Sequence, residues 1–438
     1  ISTRLVGSEM CIRDRYDAWD HFKVDDTFGG DEALKDLIKE AHSRNMKVVL
    51  DCSLNHVHPR HFAFQDIVEK GEKSEYKDWF TVFDYPVRFL HRPHLYANTY
   101  KVGWDGNAEE YKTYLEKTFK ETKVPVEVVD DDGPIIEPTF KAWWGVPDMP
   151  KINFKNDGAR QWALDVTEHW IKNFDIDGWR MDVAKELDFS FWKDFRDVAY
   201  SAKKDILLIS EIFGDTSQWL QGERFDGTMN YSFRETMTDY FATKRIDNKE
   251  FANSLANLYS MYSFEALSSC QNLLSSHDVK RFLNRCGANT DGMFGAIFLQ
   301  ATFPGIAGIY YGDEIGLGGA DDPFNREPFP WESEDKWNKD LLKFTSELMN
   351  IKTSQPILRY GNFEMVTYDD NYVIFRRVLN DESLLCIVNR DLNNKDIELN
   401  TNAHSVDMVY GDCSIELDSG KLKITDIADN FGLIIKES

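Results

Sequence analysis

Apolar residues fall at helical spacing in DEALKDLIKEAHSRN (31–45), and the chain then turns continuously apolar in MKVVLDCSLNH (46–56) before ending in polar residues. The first pattern predicts an amphipathic helix and the second a buried strand. The alternation recurs along the chain. ARQWALDVTEHWIKNF (159–174) reads as a helix, IDGWRMDV (176–183) as the next strand, and a helix at about 190–204 leads into the strand ILLISEIF (206–213). RFDGTMNY (224–231), CQNLLSSHD (270–278) and GIAGIYYGDEIG (305–316) read as three further strands separated by helical stretches. Strand–helix alternation predicts a parallel sheet. Polar residues at the C-terminal end of nearly every strand are the layout of a (β/α)8 TIM barrel, whose active site sits at that mouth.

Six barrel strands are legible from Tyr16 onward, so the first two are expected upstream of it. The barrel is assigned to 16–350, with an irregular, aromatic and charged inserted domain at 57–150 in one βα loop. From Pro356 the pattern changes to short β-rich runs with turns between them, which predicts a C-terminal antiparallel β-sandwich domain at 356–438. The opening ISTRLVGSEMCIRDR has neither helical nor strand period and resembles a translated sequencing adapter, so residues 1–15 are expected to be an artefactual leader. A barrel entered at its third strand presents open edges, and such a chain is expected to fold poorly or aggregate.

Composition narrows the function. The net charge of −24 argues against a nucleic-acid partner, because phosphate binding needs a basic surface. The 12 Trp, 18 Tyr and 30 Phe residues fit a large core or a surface that stacks on flat apolar faces such as those of sugar rings. The six cysteines (11, 52, 270, 286, 386, 413) form no CxxC pair, so zinc and redox motifs are absent and no disulfide framework is expected. The longest apolar run (295–312) is broken by Gln300 and Pro304 and reads as a buried helix end plus a strand, not a membrane span. With no signal peptide legible, a cytoplasmic location is expected.

Four strand ends carry chemistry: Asp51, Asn55 and His56; Arg180 and Asp182; Glu211; His277 and Asp278. A lone carboxylate there is usually a cap or salt-bridge partner, and a lone His a satisfied core residue. Three carboxylates at one barrel mouth are another matter, since like charges raise the cost of gathering them. Arg180 and Asp182, two apart on a strand, share a face, so the guanidinium can hold the carboxylate ionised and oriented. The alternative for that pair is a structural ion pair.

In that order the four strand ends resemble glycoside hydrolase family 13, the α-amylase family, and most closely its neopullulanase, cyclomaltodextrinase and maltogenic amylase group. MPKIN (149–153), FAFQDIVEKGEKSEYKDWF (62–80), FDGTMNY (225–231) and YYGDEIGLGGADDPFNREPFPW (310–331) are similar to motifs of that group. The resemblance implies a retaining α-glucan hydrolase cleaving α-1,4 bonds, with α-1,6 as a further linkage, in maltodextrins, cyclodextrins or pullulan. It implies Asp182 as nucleophile, Glu211 as acid/base and Asp278 as the group that grips sugar hydroxyls. Tyr16 would stack under the sugar, His56 and His277 would hydrogen-bond it, and Asp17 would fix Arg326 or sugar hydroxyls. Arg180 and Arg326 belong to the expected substrate-binding set, Lys185 and Glu186 line the acceptor side, and Asp51 supports the Arg–Asp cluster. No cofactor is implied within the chain; the family's calcium site and the β domain through which relatives form homodimers would lie upstream.

Lys185 stands where the group has Asn, Phe213-Gly214 where it has Trp-His, and 101–142 is longer than the group's pattern. These departures leave acceptor-side specificity open. Alternatives are a transglycosylating enzyme on the same site and an inactive fragment. A non-catalytic transporter-associated relative is set aside because Asp182, Glu211 and Asp278 are all present.

Overall fold

Helix Asp157–Phe174 turns Trp162, Ala163, Val166, Trp170 and Phe174 inward, and the chain after it runs straight into strand β5 (Gly178–Met181), the central strand of the first unit. The computed structural model describes residues 16–96, 107–391, 395–428 and 431–438. The leader expected at 1–15, and 101–106 of the long 101–142 stretch, lie outside them. The chain divides into two compact units: the described residues up to Glu211 with Gln221–Phe225, and Ile212–Leu220 with Asp226–Ser438.

In the first unit, β1 (Val49–Cys52), β5 and β6 (Leu207–Ser210) run parallel with β5 in the middle. Each is preceded by a helix, at Gly30–Ser43, Asp157–Phe174 and Phe189–Ala202. The last two start on side-chain caps: Asn156 accepts the Ala159 N–H, and Asp188 accepts the Ser190 N–H. The strands approach so closely at Gly178 that a Cβ there would lie 2.7 Å from Leu207 O and 2.9 Å from the Val49 side chain. Below β5, buried Asp177 accepts the Val48 N–H at 2.9 Å and takes Lys203, His42 and Lys47 on its carboxylate. Burial opposes its charge, but these donors hold the carboxyl well below the usual range.

The insertion is more regular than its sequence. Within 57–150, read as irregular, stand helices Phe62–Lys70 and Ala108–Thr122 and a three-stranded sheet of β2 (Phe89–His91), β3 (Val126–Val128) and β4 (Ile136–Pro138), with β2 central. Three-residue strands are too short to show a period. They are organised by packing instead: the Phe64 ring meets Phe80 at 5.0 Å and Phe140 at 4.7 Å. Helix Ala108–Thr122 opens on a capping box between Asn107 and Glu110.

In the second unit, β7 is only Gly227–Thr228, shorter than the strand predicted at 224–231. Met229 just beyond it bridges in parallel to Gln271 of β8 (Gln271–Leu273), which pairs in parallel with β9 (Ile306–Gly308). The apolar run at 295–312 divides into the end of the buried helix Asp291–Thr302 and β9. Downstream, β10 (Asn362–Tyr368), β11 (Val373–Leu379), β12 (Glu382–Val388), β14 (Val406–Tyr410) and β17 (Gly432–Glu437) form one antiparallel sheet; β13 (Ile397–Asn400), β15 (Ser414–Asp418) and β16 (Lys421–Thr425) form a second. Ile374, Leu385, Ile387 and Ile435 of the first meet Leu422 and Ile424 of the second in one core, the packing of a β-sandwich. No helix among the described residues is long and apolar enough to cross a membrane.

Candidate active site

The parallel ladder continues one residue past the strands. Asp182 N donates to Cys52 O and Glu211 N donates to Met181 O, each at 2.9 Å. Met181 and Ser210 are register partners, so the next residues, Asp182 and Glu211, stand side by side at the C-terminal ends of β5 and β6. Asp51 pairs in register with Arg180 on the other side of β5.

Arg180 organises these acids. Its Nη1 donates to Asp51 Oδ1 at 2.8 Å, Asp182 Oδ1 at 3.1 Å and Tyr16 Oη at 3.0 Å, and its Nη2 lies 3.5 Å from Glu211 Oε1. Tyr16 closes the ring of contacts by donating its hydroxyl to Asp51 Oδ2 at 2.5 Å. One buried guanidinium thus faces three carboxylates, and their field holds it charged. Burial pushes the Asp182 carboxyl up to about 7; Arg180 opposes the shift, and Glu211 and Asp51 add to it. The Tyr16 phenol is pushed up, chiefly by burial, so it serves as a neutral donor.

His56 is fully buried, its Nδ1 3.2 Å from Asn55 Nδ2, and burial pushes it down to about 3, leaving a neutral ring. Asp17 lies 3.9 Å from His58 Nε2. Glu186 accepts from Lys151 Nζ at 2.6 Å, and Lys185 is exposed.

The second unit carries its own group. His277 Nε2 lies 3.2 Å from Asp278 Oδ2, and Arg326 Nη2 lies 3.8 Å from Asp278 Oδ1. Arg326 Nε donates to His277 O at 3.0 Å and pairs with Asp322 at 2.8 Å. Buried Asn325, which the sequence reading passed over, donates to His277 O at 2.8 Å and Val279 O at 3.0 Å, so the short turn Phe324–Arg326 clamps the His277–Asp278 backbone. Its signal was its place beside Arg326 in a motif already singled out. Two bonded groups result: Tyr16, Asp51, Arg180, Asp182 and Glu211 in the first unit, and His277, Asp278 and Arg326 in the second. Among the described residues no group of three or more His, Cys, Asp or Glu side chains is placed to hold a metal ion.

The family model of the alpha amylase catalytic domain matches residues 9–125 and 139–360, a span that opens inside the stretch read as a leader. The chain is 32% identical over 387 residues to a cyclomaltodextrinase of Thermoanaerobacter pseudethanolicus, covering 88% of this chain and 59% of that protein. It is 34% identical over 377 residues to neopullulanase 2 of Thermoactinomyces vulgaris, covering 86% and 57%, and 33% identical over 380 residues to an intracellular maltogenic amylase of Bacillus subtilis, covering 86% and 56%. The chain therefore spans somewhat under three fifths of the length of these curated relatives. Among solved structures, the debranching enzyme of Nostoc punctiforme superposes with a TM-score of 0.80 at 28% identity, over 97% of this chain and 82% of that one. The alpha-amylase domain and its solved neighbours are (β/α)8 barrels with a C-terminal antiparallel β domain, the fold class expected from the strand–helix order. On a match that covers most of its length, the chain belongs to the α-amylase family, glycoside hydrolase family 13.

Proposed function

We propose that the chain carries the catalytic domain of a retaining α-glucan hydrolase, acting on α-1,4 and α-1,6 bonds of maltodextrins, cyclodextrins or pullulan. The observation that carries this reading is the pairing of Asp182 and Glu211 on adjacent parallel strands, both held by Arg180. Both carboxyls meet the amino nitrogens of one guanidinium, the close pairing on which a retaining mechanism relies.

In the proposed reaction Asp182 attacks the anomeric carbon as the glycosidic C–O bond breaks, and Glu211 gives its proton to the departing oxygen. Glu211 then takes a proton from water, whose oxygen attacks the same carbon and releases Asp182. Arg180 donates at 3.1 Å to Asp182 and lies 3.5 Å from Glu211, so one guanidinium orients both carboxyls. Asp278 is proposed to bind sugar hydroxyls, supported by its motif and by the His277 and Arg326 that flank it. Tyr16, His56, His277, Arg326, Lys185 and Glu186 complete the proposed binding set. The reaction as written draws on no cofactor. The names of the curated relatives support cyclodextrin, pullulan and maltodextrin as the classes to assay, and one relative's description as intracellular supports a cytoplasmic location. Homodimerisation, which the family resemblance implies, is part of the same proposal.

The test is hydrolysis of β-cyclodextrin, pullulan and maltotriose by the full-length protein, with the product anomer followed by proton NMR. Retention predicts that the α-anomer appears first and that Asp182→Asn and Glu211→Gln remove the activity. A first-formed β-anomer, or full activity in either variant, overturns the assignment.

A further inference from the structure

Three rings stack outward from His56. Trp143 lies against His56 with centroids 5.2 Å apart and planes at 16°, and Trp144 lies against Trp143 at 5.3 Å and 26°. The stack runs from a fully buried imidazole to an indole that is 85% exposed, the most exposed of the large hydrophobic side chains described. The hairpin beneath it is well defined: Trp143 N donates to Met149 O at 2.9 Å, Ala142 bridges Pro150, and Lys151 bridges His56.

The tip of that hairpin is chemically unusual. Val146 N donates to Trp143 O at 3.0 Å, with Trp144 at φ +50°, ψ +18° and Gly145 at φ +77°. Two successive left-handed residues under that bond make a type I′ turn, whose first central position favours Asn or Asp and penalises a bulky side chain. Trp144 is therefore costly twice over, in backbone conformation and in exposed apolar area. Among the described residues the ring stacked beside the indole is that of Trp143, and the side chain stays 85% exposed, so little burial offsets either cost. A residue that breaks local rules without structural return points to a binding role.

We propose that Trp144 is a sugar-stacking platform on the acceptor side of the site, and so a determinant of preference for longer α-glucan chains. The occupant is one glucosyl ring, whose flat C–H face lies on the free indole face. Two features give that assignment: the stack is continuous with His56, and Lys151, bridged to His56, carries the ion pair with Glu186. The proposal rests on the hydrolase reading above.

The experiment measures KM and kcat of the full-length protein and of Trp144→Asn and Trp144→Phe, on maltohexaose and on maltotriose. Asn suits the turn, so that variant keeps or raises the melting temperature, which separates lost binding from lost folding. The expected result is a rise of about tenfold in the ratio of the maltohexaose KM to the maltotriose KM in Trp144→Asn, one stacking contact's worth, with most of it recovered in Trp144→Phe. An unchanged ratio in Trp144→Asn, or a Phe variant as impaired as the Asn variant, overturns the platform while leaving the hydrolase reading intact. Absence of hydrolysis by the parent protein overturns both.

Discussion

Val183 donates its backbone N–H to Glu211 Oε2 at 3.0 Å while holding φ at +48°. The bond ties the proposed acid/base to the residue that follows the proposed nucleophile, so the two carboxyls share one piece of backbone. A β-branched residue in the left-handed region costs roughly 1–2 kcal/mol, and the fold bears that cost where the N–H must face Glu211. Val183→Gly is expected to melt within about 1 kcal/mol of the parent, since relief of strain offsets the lost half-buried side chain and the added chain entropy. Its kcat should fall about tenfold as Glu211 gains freedom. Thermal melts and steady-state rates on one substrate check this; an unaltered kcat removes the positioning role.

Asp182 should make the fold pH-sensitive. Its carboxyl is pushed from an ordinary 3.8 up to about 7, first by burial, so the folded state holds the proton more tightly than the unfolded chain does. The stability this group contributes is complete below about pH 4 and is lost as pH rises through about 7. Asp182→Asn is therefore expected to match the parent near pH 4 and to exceed it by on the order of 2 kcal/mol near pH 8, while losing about 10⁴-fold or more in kcat. Denaturant melts at both pH values decide the matter. A gap of equal size at pH 4 and pH 8 would contradict the shift.

Tyr16 offers a milder lesion. Its hydroxyl bridges Asp51 at 2.5 Å and Arg180 at 3.0 Å, and Arg180 keeps direct bonds to both Asp51 and Asp182 when that hydroxyl is gone. Tyr16→Phe is expected to cost about 1 kcal/mol of stability and about tenfold in kcat/KM. Loss comparable to that of Asp182→Asn would promote Tyr16 from a positioning group to a participant in proton transfer.

These lesions also show where the sequence was readable. Asp182 and Glu211 were legible because each follows a buried apolar run, and a strand's end aims its next side chain at the barrel mouth. Arg180 was legible by strand periodicity, and Asp51 as support for the Arg–Asp cluster through the family resemblance; their register as strand partners shows only in the sheet. Val183 was not, because nothing in a Val announces a left-handed backbone; the sheet ladder and the Glu211 bond impose it. The elements inside 57–150 were not legible for a different reason: β2, β3 and β4 are three residues each and depend on ring contacts such as Phe64 with Phe140, which join positions 76 residues apart. Trp143 and Trp144 were visible as letters, but only the turn geometry shows that one is packed and the other displayed.

Lys352 provides a test of opposite sign in the second unit. It is buried, and its Nζ donates to Ala301 O at 3.1 Å and Phe303 O at 3.2 Å, at the C-terminus of helix Asp291–Thr302. Arg377, also buried, donates to Thr302 O at 2.6 Å, so two cationic side chains cap one helix end where the dipole favours them. Burial outweighs that attraction: it lowers Lys352 from an ordinary 10.5 to about 7, with Arg377 adding to the shift and Cys386 opposing it. The folded state therefore binds this proton less tightly than the unfolded chain. Its stabilising contribution is complete above about pH 10.5 and is lost as pH falls through about 7. Lys352→Met removes two hydrogen bonds, so at pH 10 it is expected to be about 1–2 kcal/mol less stable than the parent. At pH 6 the parent bears the cost of a buried charge that methionine lacks, and the gap should close or reverse. Urea melts of parent and variant at pH 6 and pH 10 read this directly, and an equal gap at both values would show that Lys352 keeps its ordinary affinity for the proton inside the fold.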